Sequence, residues 1–292
     1  MRTQDGMYQR HAHDIEHENL LKQPRLRSYY ESGKKFASLI PIATNYLPRQ
    51  RKTLSFNVEG ISVRVSPWPG EIQSCLVTSR SGGLLSVLSF SPLTEIKKVA
   101  ASLGYENLLW QATDEFTETT YQSLEFDLRD RLHVLIASDL KPDVRHRISN
   151  TFTVRRARSI DIDAVLEIDS MCFEPFWQLD QQGLEEAILA TPRSRYRVIV
   201  DKDDFGSVLG YSIFGQGAGS GYLQRIAMSP GRQRNGGATS LIVDGFSWLR
   251  RWRTQKVSVN TQVTNEHALA LYVGLGFKLQ RQGLSLYQCS SS

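Results

Sequence analysis

Residues 228–242, MSPGRQRNGGATSLI, place two arginines and two adjacent glycines between an apolar strand and a long amphipathic helix. Pro230 has no amide hydrogen and therefore ends further strand pairing. Helical periodicity starts near Gly237, and apolar residues recur on one face as far as Trp252. The segment therefore predicts a strand, a turn and a helix in direct succession.

The head of this helix has the chemistry of an anion site. Its first amide hydrogens have no partner inside the helix and carry a partial positive charge, and both properties favour a phosphate. Gly236 and Gly237 have no side chain that would keep an anion from the backbone, and Arg232 or Arg234 adds a full charge. Local chemistry leaves two interpretations open: a pyrophosphate site, or a plain loop before a helix.

Two motifs, taken together, resemble those of a known family. QRNGGA, residues 233–238, is similar to the Q/R-x-x-G-x-G/A signature of the GCN5-related N-acetyltransferases. NEHALALYVGLGF, residues 265–277, resembles that family's N-x-x-A-x-x-L-Y-x-x-x-G-F helix, and RIAMSP resembles its central strand. The resemblance covers residues 152–289. It implies an α/β (α+β) fold, with a mixed, mostly antiparallel sheet flanked by helices.

The resemblance also implies the site residues. Backbone groups of Ile226, Ala227 and Met228 would bind the pantetheine arm of acetyl-CoA, and Asn265 would hydrogen-bond the same arm. Tyr272 would protonate the departing thiolate; it lies two helical turns after Asn265, so both can face one cleft. A helix cap for Asn265 and a core position for Tyr272 remain open alternatives. The amides expected to bind the pyrophosphate belong to Gln233, Arg234, Asn235, Gly236, Gly237, Ala238 and Thr239.

The acceptor is less defined. Ribosomal-protein N-terminal acetyltransferases of this family use a glutamate base, and the matching position here is Asn260, which cannot accept a proton. Freeing a lysine amine at pH 7 costs about 4.6 kcal/mol, whereas an α-amine of pKa about 7.8 costs about 1.1 kcal/mol. The sequence therefore favours an amine of low pKa, unless water connects Asp169 or Glu174 to the acceptor. Phe176 and Trp177 are candidates for the acceptor wall, or equally for the core.

The first half of the chain contains a segment similar in sequence to part of the second half. Residues 109–128 align without a gap on residues 260–279, and VLSFSP at 87–92 parallels RIAMSP at 225–230, although no glycine motif follows it. We interpret the first half as a degenerate acetyltransferase-like unit without a pyrophosphate turn; chance similarity of two β-α-β units is the alternative. The identities within the aligned segment are Gln111, Thr113, Glu115, Tyr121, Leu124, Phe126 and Leu128.

Domain organisation follows from these assignments. We predict a polar N-terminal extension at residues 1–50, a smaller α/β domain at 51–145 and the acetyltransferase domain at 151–292. The charged, patternless segment 141–150 forms the boundary.

The amino-acid composition argues against several classes of protein. The chain has 292 residues, 40% of them hydrophobic and 22% charged, as in ordinary globular proteins. The net charge of +5 permits an anionic ligand, but basic residues form no stripe that would indicate nucleic acid. No apolar run is long enough to cross a membrane, and three cysteines without CxxC spacing are typical of reduced thiols, so we expect a cytoplasmic protein. His11, His13 and His17 indicate a solvated terminus, and no metal is expected.

The sequence therefore predicts an acyltransferase that moves the acetyl group of acetyl-CoA to an amine by direct attack, with a protein or peptide α-amine as the first candidate. One alternative is a small-molecule amine, because a tandem architecture resembles that of mycothiol synthase, which acetylates an aminosugar thiol conjugate. Another is a regulatory module that binds acyl-CoA without turnover.

Overall fold

The computed structural model describes residues 53–79, 90–113, 118–142, 151–204 and 206–292. Three parts of the chain lie outside the described residues. They are the predicted extension 1–50 with its histidines, the boundary segment from residue 143, and most of the apolar segment LLSVLSF at 84–90. From residue 50 onward the chain forms one compact unit. Within the described ranges, no helix combines the length and apolar character needed to cross a membrane.

The first half of the described chain is an antiparallel meander followed by a parallel strand pair. β1 and β2 form the predicted hairpin, which turns through Glu59 and Gly60, both at positive φ. β3 pairs antiparallel with β2 and parallel with β4, and α1 lies between β3 and β4 in the chain. The elements are β1 Leu54–Val58, β2 Ile61–Pro67, β3 Ser74–Ser79, α1 Phe90–Ser102, β4 Asn107–Thr113, α2 Glu118–Gln122 and β5 Asp127–Ala137.

The second half repeats this plan with longer elements. Four strands form an antiparallel meander, and β9 then pairs parallel with β10 across α5, the helix predicted after the glycine turn. The elements are β6 Phe152–Arg156, α3 Ile162–Cys172, α4 Gln181–Leu189, β7 Arg193–Asp201, β8 Val208–Gly217, β9 Ser220–Met228, α5 Gly237–Arg251, β10 Lys256–Gln262, α6 Glu266–Gly274, β11 Lys278–Leu279 and β12 Leu284–Ser290.

The predicted internal repeat is confirmed in the geometry of its aligned helices. The amide of Phe126 donates to the carbonyl of Tyr121 at 3.0 Å, and the amide of Phe277 donates to Tyr272 at 3.0 Å. The residues before the two phenylalanines are Glu125 and Gly276, and both have positive φ. α2 and α6, the last described helix of each half, therefore end with the same left-handed turn.

The upstream part of the proposed repeat is wrong. Phe90–Pro92 do not continue a strand like RIAMSP; they form the first turn of α1. Pro92 suits that turn because its missing amide hydrogen has no helical acceptor there. The strand equivalent to β9 is β3, because each is followed by a helix and pairs parallel with the next long strand.

The two halves exchange strands. All strands of the described residues form one twelve-stranded sheet in the order β1-β2-β3-β4-β12-β5-β10-β9-β8-β7-β6, with β11 also paired to β5. The last strand of the chain, β12, therefore lies between β4 and β5 of the first half, and β5 lies between β12 and β10 of the second. The cores are shared accordingly: Tyr287 and Cys289 pack in the first half's cluster, and Leu135 and Ala137 pack in the second's.

We expect a fragment of residues 151–292 to fail to fold as a monomer. It keeps the predicted domain but loses β5, which exposes the edges of β10 and β12 and one side of their core. The measurement is thermal unfolding followed by far-ultraviolet circular dichroism, with the fragment 50–292 as the control. A cooperative transition in the shorter fragment at the temperature of the control would contradict the expectation.

Candidate active site

A cleft opens where β9 and β10 separate. The two strands are paired only from Ser220 to Tyr222 on β9, opposite Lys256 to Ser258 on β10. The pairing of β9 with β8 shifts register at Gln224, which is the position of a bulge. Because a bulge bends its strand, the remainder of β9 turns away from β10. A cavity of about 1090 Å³ lies in the resulting cleft.

The structure brings together all residues predicted for the site. They lie on three separate elements, and each lines this one cavity. The residues are Ile226, Ala227, Met228, Gln233, Arg234, Asn235, Gly236, Gly237, Ala238, Thr239, Asn265 and Tyr272.

The turn between β9 and α5 presents main-chain donors. A single 3₁₀ turn, Pro230–Arg232, is followed by Arg234 and Gly236, both at positive φ. Among the described residues, no acceptor pairs with the amide hydrogens from Gln233 to Thr239. The carbonyl of Gly236 is instead paired, because it accepts hydrogen bonds from the amide and the hydroxyl of Ser240, each at 3.0 Å. Donors without partners therefore dominate the head of α5.

Glycine is required at the two adjacent positions for different structural reasons. Gly236 is the N-cap of α5 with φ 78°, a conformation in which a side chain is strained. At Gly237, a Cβ atom would lie 2.5 Å from Cε of Met228, so glycine lets the helix approach β9. One glycine sets the direction of the turn, and the other sets the distance between helix and strand.

Positive charge lies beside these donors. Arg232 and Arg234 are exposed at the turn and line the cavity, and Nη2 of Arg234 is 3.2 Å from Nε2 of His267. Unpaired amides, flanking cations and an open approach are the features that a diphosphate requires. The residues present therefore fit the pyrophosphate of a coenzyme A.

Asn265 has the predicted cap role and keeps a free donor. Its Oδ1 accepts a hydrogen bond of 3.0 Å from the amide of Ala268 at the start of α6. Its Nδ2 has no hydrogen-bond partner within the described part of the chain. Because the side chain lines the cavity, Nδ2 is available to a ligand there.

Tyr272 is buried, but its hydroxyl lies at the cavity. The ring is 4% exposed and lies 5.5 Å from the ring of Phe277. No hydrogen-bond partner of its hydroxyl is found among the described residues. Burial raises the pKa of Tyr272 above its ordinary value, and the nearby cation of Arg225 opposes part of that rise. The phenol therefore keeps its proton at neutral pH.

The aromatic connection CFEPFWQ divides between core and cavity. Phe176 is buried against Leu109 and Leu286, whereas Trp177 lines the cavity. Trp68, from the first half, stacks on Phe176 with a centroid distance of 5.2 Å and donates from Nε1 to the Phe176 carbonyl at 2.7 Å. The connection is therefore fixed by a loop that is distant in sequence.

The sequence did not indicate which residues of the first half contribute to this wall. Trp68, Gln111 and Leu132 all line the cavity. Gly70 explains the close contact, because a Cβ atom there would lie 2.1 Å from the carbonyl oxygen of Phe176. The tripeptide Trp-Pro-Gly at residues 68–70 is a local signal of a turn. It does not indicate that this turn contacts Phe176.

Neither carboxylate considered as a base is free at the cavity. Asp169 is fully buried and accepts from Nε of Arg225 at 2.8 Å, from the amide of Leu179 at 2.7 Å and from the hydroxyl of Tyr211. Glu174 is exposed and is absent from the cavity lining. Asn260 lines the cavity, as its alignment with the family's base position implies.

Cys172 is a further group in the cavity that the motifs did not indicate. Its thiol donates to the carbonyl of Met228 at 3.1 Å. Burial, followed by the charge of Asp169, raises the pKa of this thiol. A nucleophilic cysteine needs the opposite shift, toward the thiolate. Cys172 therefore has the environment of a structural thiol.

Comparisons with known proteins agree with this geometry. Residues 162–277 match the profile of the acetyltransferase (GNAT) family. No curated protein matches the sequence at a significant level.

Solved structures share the fold over most of the chain at low sequence identity. A tandem GNAT protein from the clavulanic acid biosynthesis pathway has a TM-score of 0.60 at 9% identity, over 81% of this chain and 81% of its own. A GCN5-related N-acetyltransferase from Sphaerobacter thermophilus has a TM-score of 0.58 at 14% identity, over 79% and 76%. Another from Kribbella flavida has a TM-score of 0.58 at 12% identity, over 82% and 90%.

The alignment of both halves with tandem proteins accounts for the repeat and for the sheet that joins them. Residues 162–277 therefore form a domain of the acetyltransferase (GNAT) family, and the half before it is GNAT-like.

Proposed function

We propose that the protein is an N-acetyltransferase that uses acetyl-CoA and transfers the acetyl group directly to an amine. The observation that supports this most is the set of unpaired amides from Gln233 to Thr239, which face the same cavity as Asn265 and Tyr272. A family resemblance alone does not require an intact donor site. The unpaired amides therefore support the proposal independently of the fold.

Binding of the donor would use three parts of the cavity. The amides at the head of α5 would hold the pyrophosphate, with Arg232 and Arg234 adding charge. The edge of β9 from Ile226 to Met228 would pair with the amide groups of the pantetheine arm, because the strand has no β10 partner there. Nδ2 of Asn265 would donate to the same arm.

Transfer forms a nitrogen–carbon bond and breaks the carbon–sulfur bond of the thioester. Amides of the separated strand β9 would polarise the carbonyl as charge develops on its oxygen. Tyr272 would give its proton to the departing sulfur, and the attacking amine would lose one proton to solvent. A protonated phenol suits this role, because burial keeps the proton on the oxygen until the thiolate forms.

Direct attack is favoured over an acyl-enzyme. Cys172 is the cysteine in the cavity, and burial, followed by the charge of Asp169, raises the pKa of its thiol and so disfavours a thiolate. A serine or threonine nucleophile would need an adjacent base. No Asp or Glu stands among the described lining residues, and the lining His267 lies by the turn before α5, with its Nε2 3.2 Å from Nη2 of Arg234.

The acceptor is proposed to be an amine, and a peptide α-amine is one candidate because its low pKa leaves part of it unprotonated at neutral pH. A small-molecule amine is the second candidate, and one observation favours it. Trp68 and Gln111 of the first half line the cavity, so the first half limits the space for a long acceptor chain. No carboxylate stands among the described lining residues, and this observation does not distinguish a peptide α-amine from a small-molecule amine.

Replacement of Gly236 by glutamate is expected to abolish binding of acetyl-CoA. In the unaltered chain, ligand at about 100 times its dissociation constant would raise the free energy of unfolding by about 2.7 kcal/mol, visible as a thermal shift. Gly276→Glu is the matched control, because Gly276 also has positive φ and open space but lies outside the cavity. An undiminished shift in Gly236→Glu would refute the pyrophosphate assignment.

Replacement of Tyr272 by phenylalanine is expected to lower kcat by about 100-fold, the lower end of the range for a general acid. The affinity for acetyl-CoA is expected to stay unchanged, because the hydroxyl acts only on the leaving sulfur. Tyr121→Phe is the control, since Tyr121 holds the equivalent position in the first half. Thiol release measures kcat, and equal rates in both variants would exclude the acid role.

A peptide α-amine is expected to react at least tenfold faster than a lysine side chain. The two amines differ by about 3.5 kcal/mol in the free energy needed to lose a proton at pH 7. Two peptides of one sequence serve as substrates, one acetylated on its lysine and the other on its terminus. Mass spectrometry follows both, and faster modification of the lysine would count against a site without a base.

A further inference from the structure

The charges that line the cavity have one sign. Among the described lining residues, the charged side chains are Arg225, Arg232 and Arg234, and none is Asp or Glu. Arg232 and Arg234 belong to the turn at the head of α5. Arg225 lies on β9 and contacts Phe173 and Trp177, which also line the cavity.

Arg225 is held in one orientation with part of its guanidinium unused. Nε and Nη2 donate to Asp169 at 2.8 and 2.9 Å, and Nη2 also donates to the carbonyl of Trp177 at 2.6 Å. The ring of Phe173 lies 3.5 Å from the guanidinium carbon. Nη1 has no acceptor among the described residues. The side chain is 13% exposed, so a ligand at Nη1 would meet an ordered, largely desolvated cation.

Among the described residues, no carboxylate near Arg225 is free to pair with a second cation. Asp169 is occupied by Arg225. Asp130 is the next carboxylate, and its Oδ2 accepts from Nε1 of Trp177 and from Nε2 of Gln262, each at 2.9 Å. Asp130 itself does not line the cavity. A polyamine or a basic peptide would therefore bring unpaired positive charge next to Arg225.

Arg225 shares the cavity with the proposed reaction centre. Both Arg225 and Tyr272, the proposed acid, are among its lining residues. An anionic group bound at Nη1 would therefore hold a neighbouring amine near the thioester. Trp68 and Trp177, whose ring centroids are 5.3 Å apart, give an apolar wall for the rest of the molecule.

We propose that the acceptor is a small amine with an anionic oxygen group on a neighbouring carbon, and that Arg225 binds this group through Nη1. The inference rests on the proposed acetyltransferase function and names the class of acceptor within it. Arginine suits both a carboxylate and a phosphate, because its planar donors match either group. The chemistry shared by the two is therefore an amine paired with a nearby oxyanion.

The test compares acceptors that differ only in charge. Phenylalanine and phenylalaninamide form the carboxylate pair, and phosphoethanolamine and ethanolamine form the phosphate pair. Isothermal titration into the full chain saturated with coenzyme A gives dissociation constants, and acetyl-CoA turnover gives kcat/KM. At least one acid is expected to bind tenfold or more tightly than its neutral partner, and the pair that does so identifies the anion. Loss of the carboxylate lowers the basicity of the amine, so a preference for the acid reports binding and not amine reactivity.

Replacement of Arg225 by lysine tests the residue assignment. Lysine keeps a cation for Asp169 but loses the free donor, so the selectivity for acid over amide is expected to fall at least fivefold, with the affinity for coenzyme A unchanged. Arg195→Lys is the control, because Arg195 makes a similar two-point pair with Asp244, at 2.7 Å for both bonds, outside the cavity. The comparison in the unaltered chain decides the class of acceptor even if the Arg225 variant does not fold.

The outcomes separate this inference from the proposed function. If coenzyme A does not bind, the acetyltransferase proposal fails. If coenzyme A binds and the neutral or cationic amines bind as well as the acids, or no acid in either pair binds, the anionic acceptor is overturned while the donor site stands. Unchanged selectivity in a folded Arg225→Lys variant would overturn the role of Arg225.

Discussion

The separation of two parallel strands is the constraint on which the site depends. β9 and β10 share backbone pairing only as far as Tyr222 and Ser258, and the bulge at Gln224 takes β9 away from its partner. Backbone donors and acceptors on the facing edges are then left for a ligand. The helix that follows β9 begins at the mouth of the same gap, so donors of two kinds meet in one cavity.

Each of the separated strands is held by a different half of the protein. β8 pairs with β9 along its length, whereas β5, a strand of the first half, pairs with β10 from Val257 to Gln262. The first half therefore supplies the support that keeps β10 in place, in addition to Trp68 and Gln111, which line the cavity.

The sequence predicted what depends on local geometry. Glycines at the head of a helix, the cap at Asn265 and a tyrosine two turns later all follow from spacing along one segment, and all lie in the cavity. The pair Arg225 and Asp169 was not predicted, because its partners come from β9 and α3 and meet only through packing. The same holds for Phe176 and Trp177, whose separation into core and cavity is decided by a loop of the first half.

The two equivalent tyrosines show how one motif acquires different roles. Tyr121 and Tyr272 each end a helix with the same turn and each contact the following phenylalanine. Tyr121 stacks on Tyr287 of β12 with a centroid distance of 3.9 Å, so a strand from the other half fills the space beside its ring. Tyr272 instead lies beside the gap between β9 and β10. The motif provides an oriented phenol in both halves, and the position of the neighbouring strand decides whether that phenol packs in a core or faces a ligand.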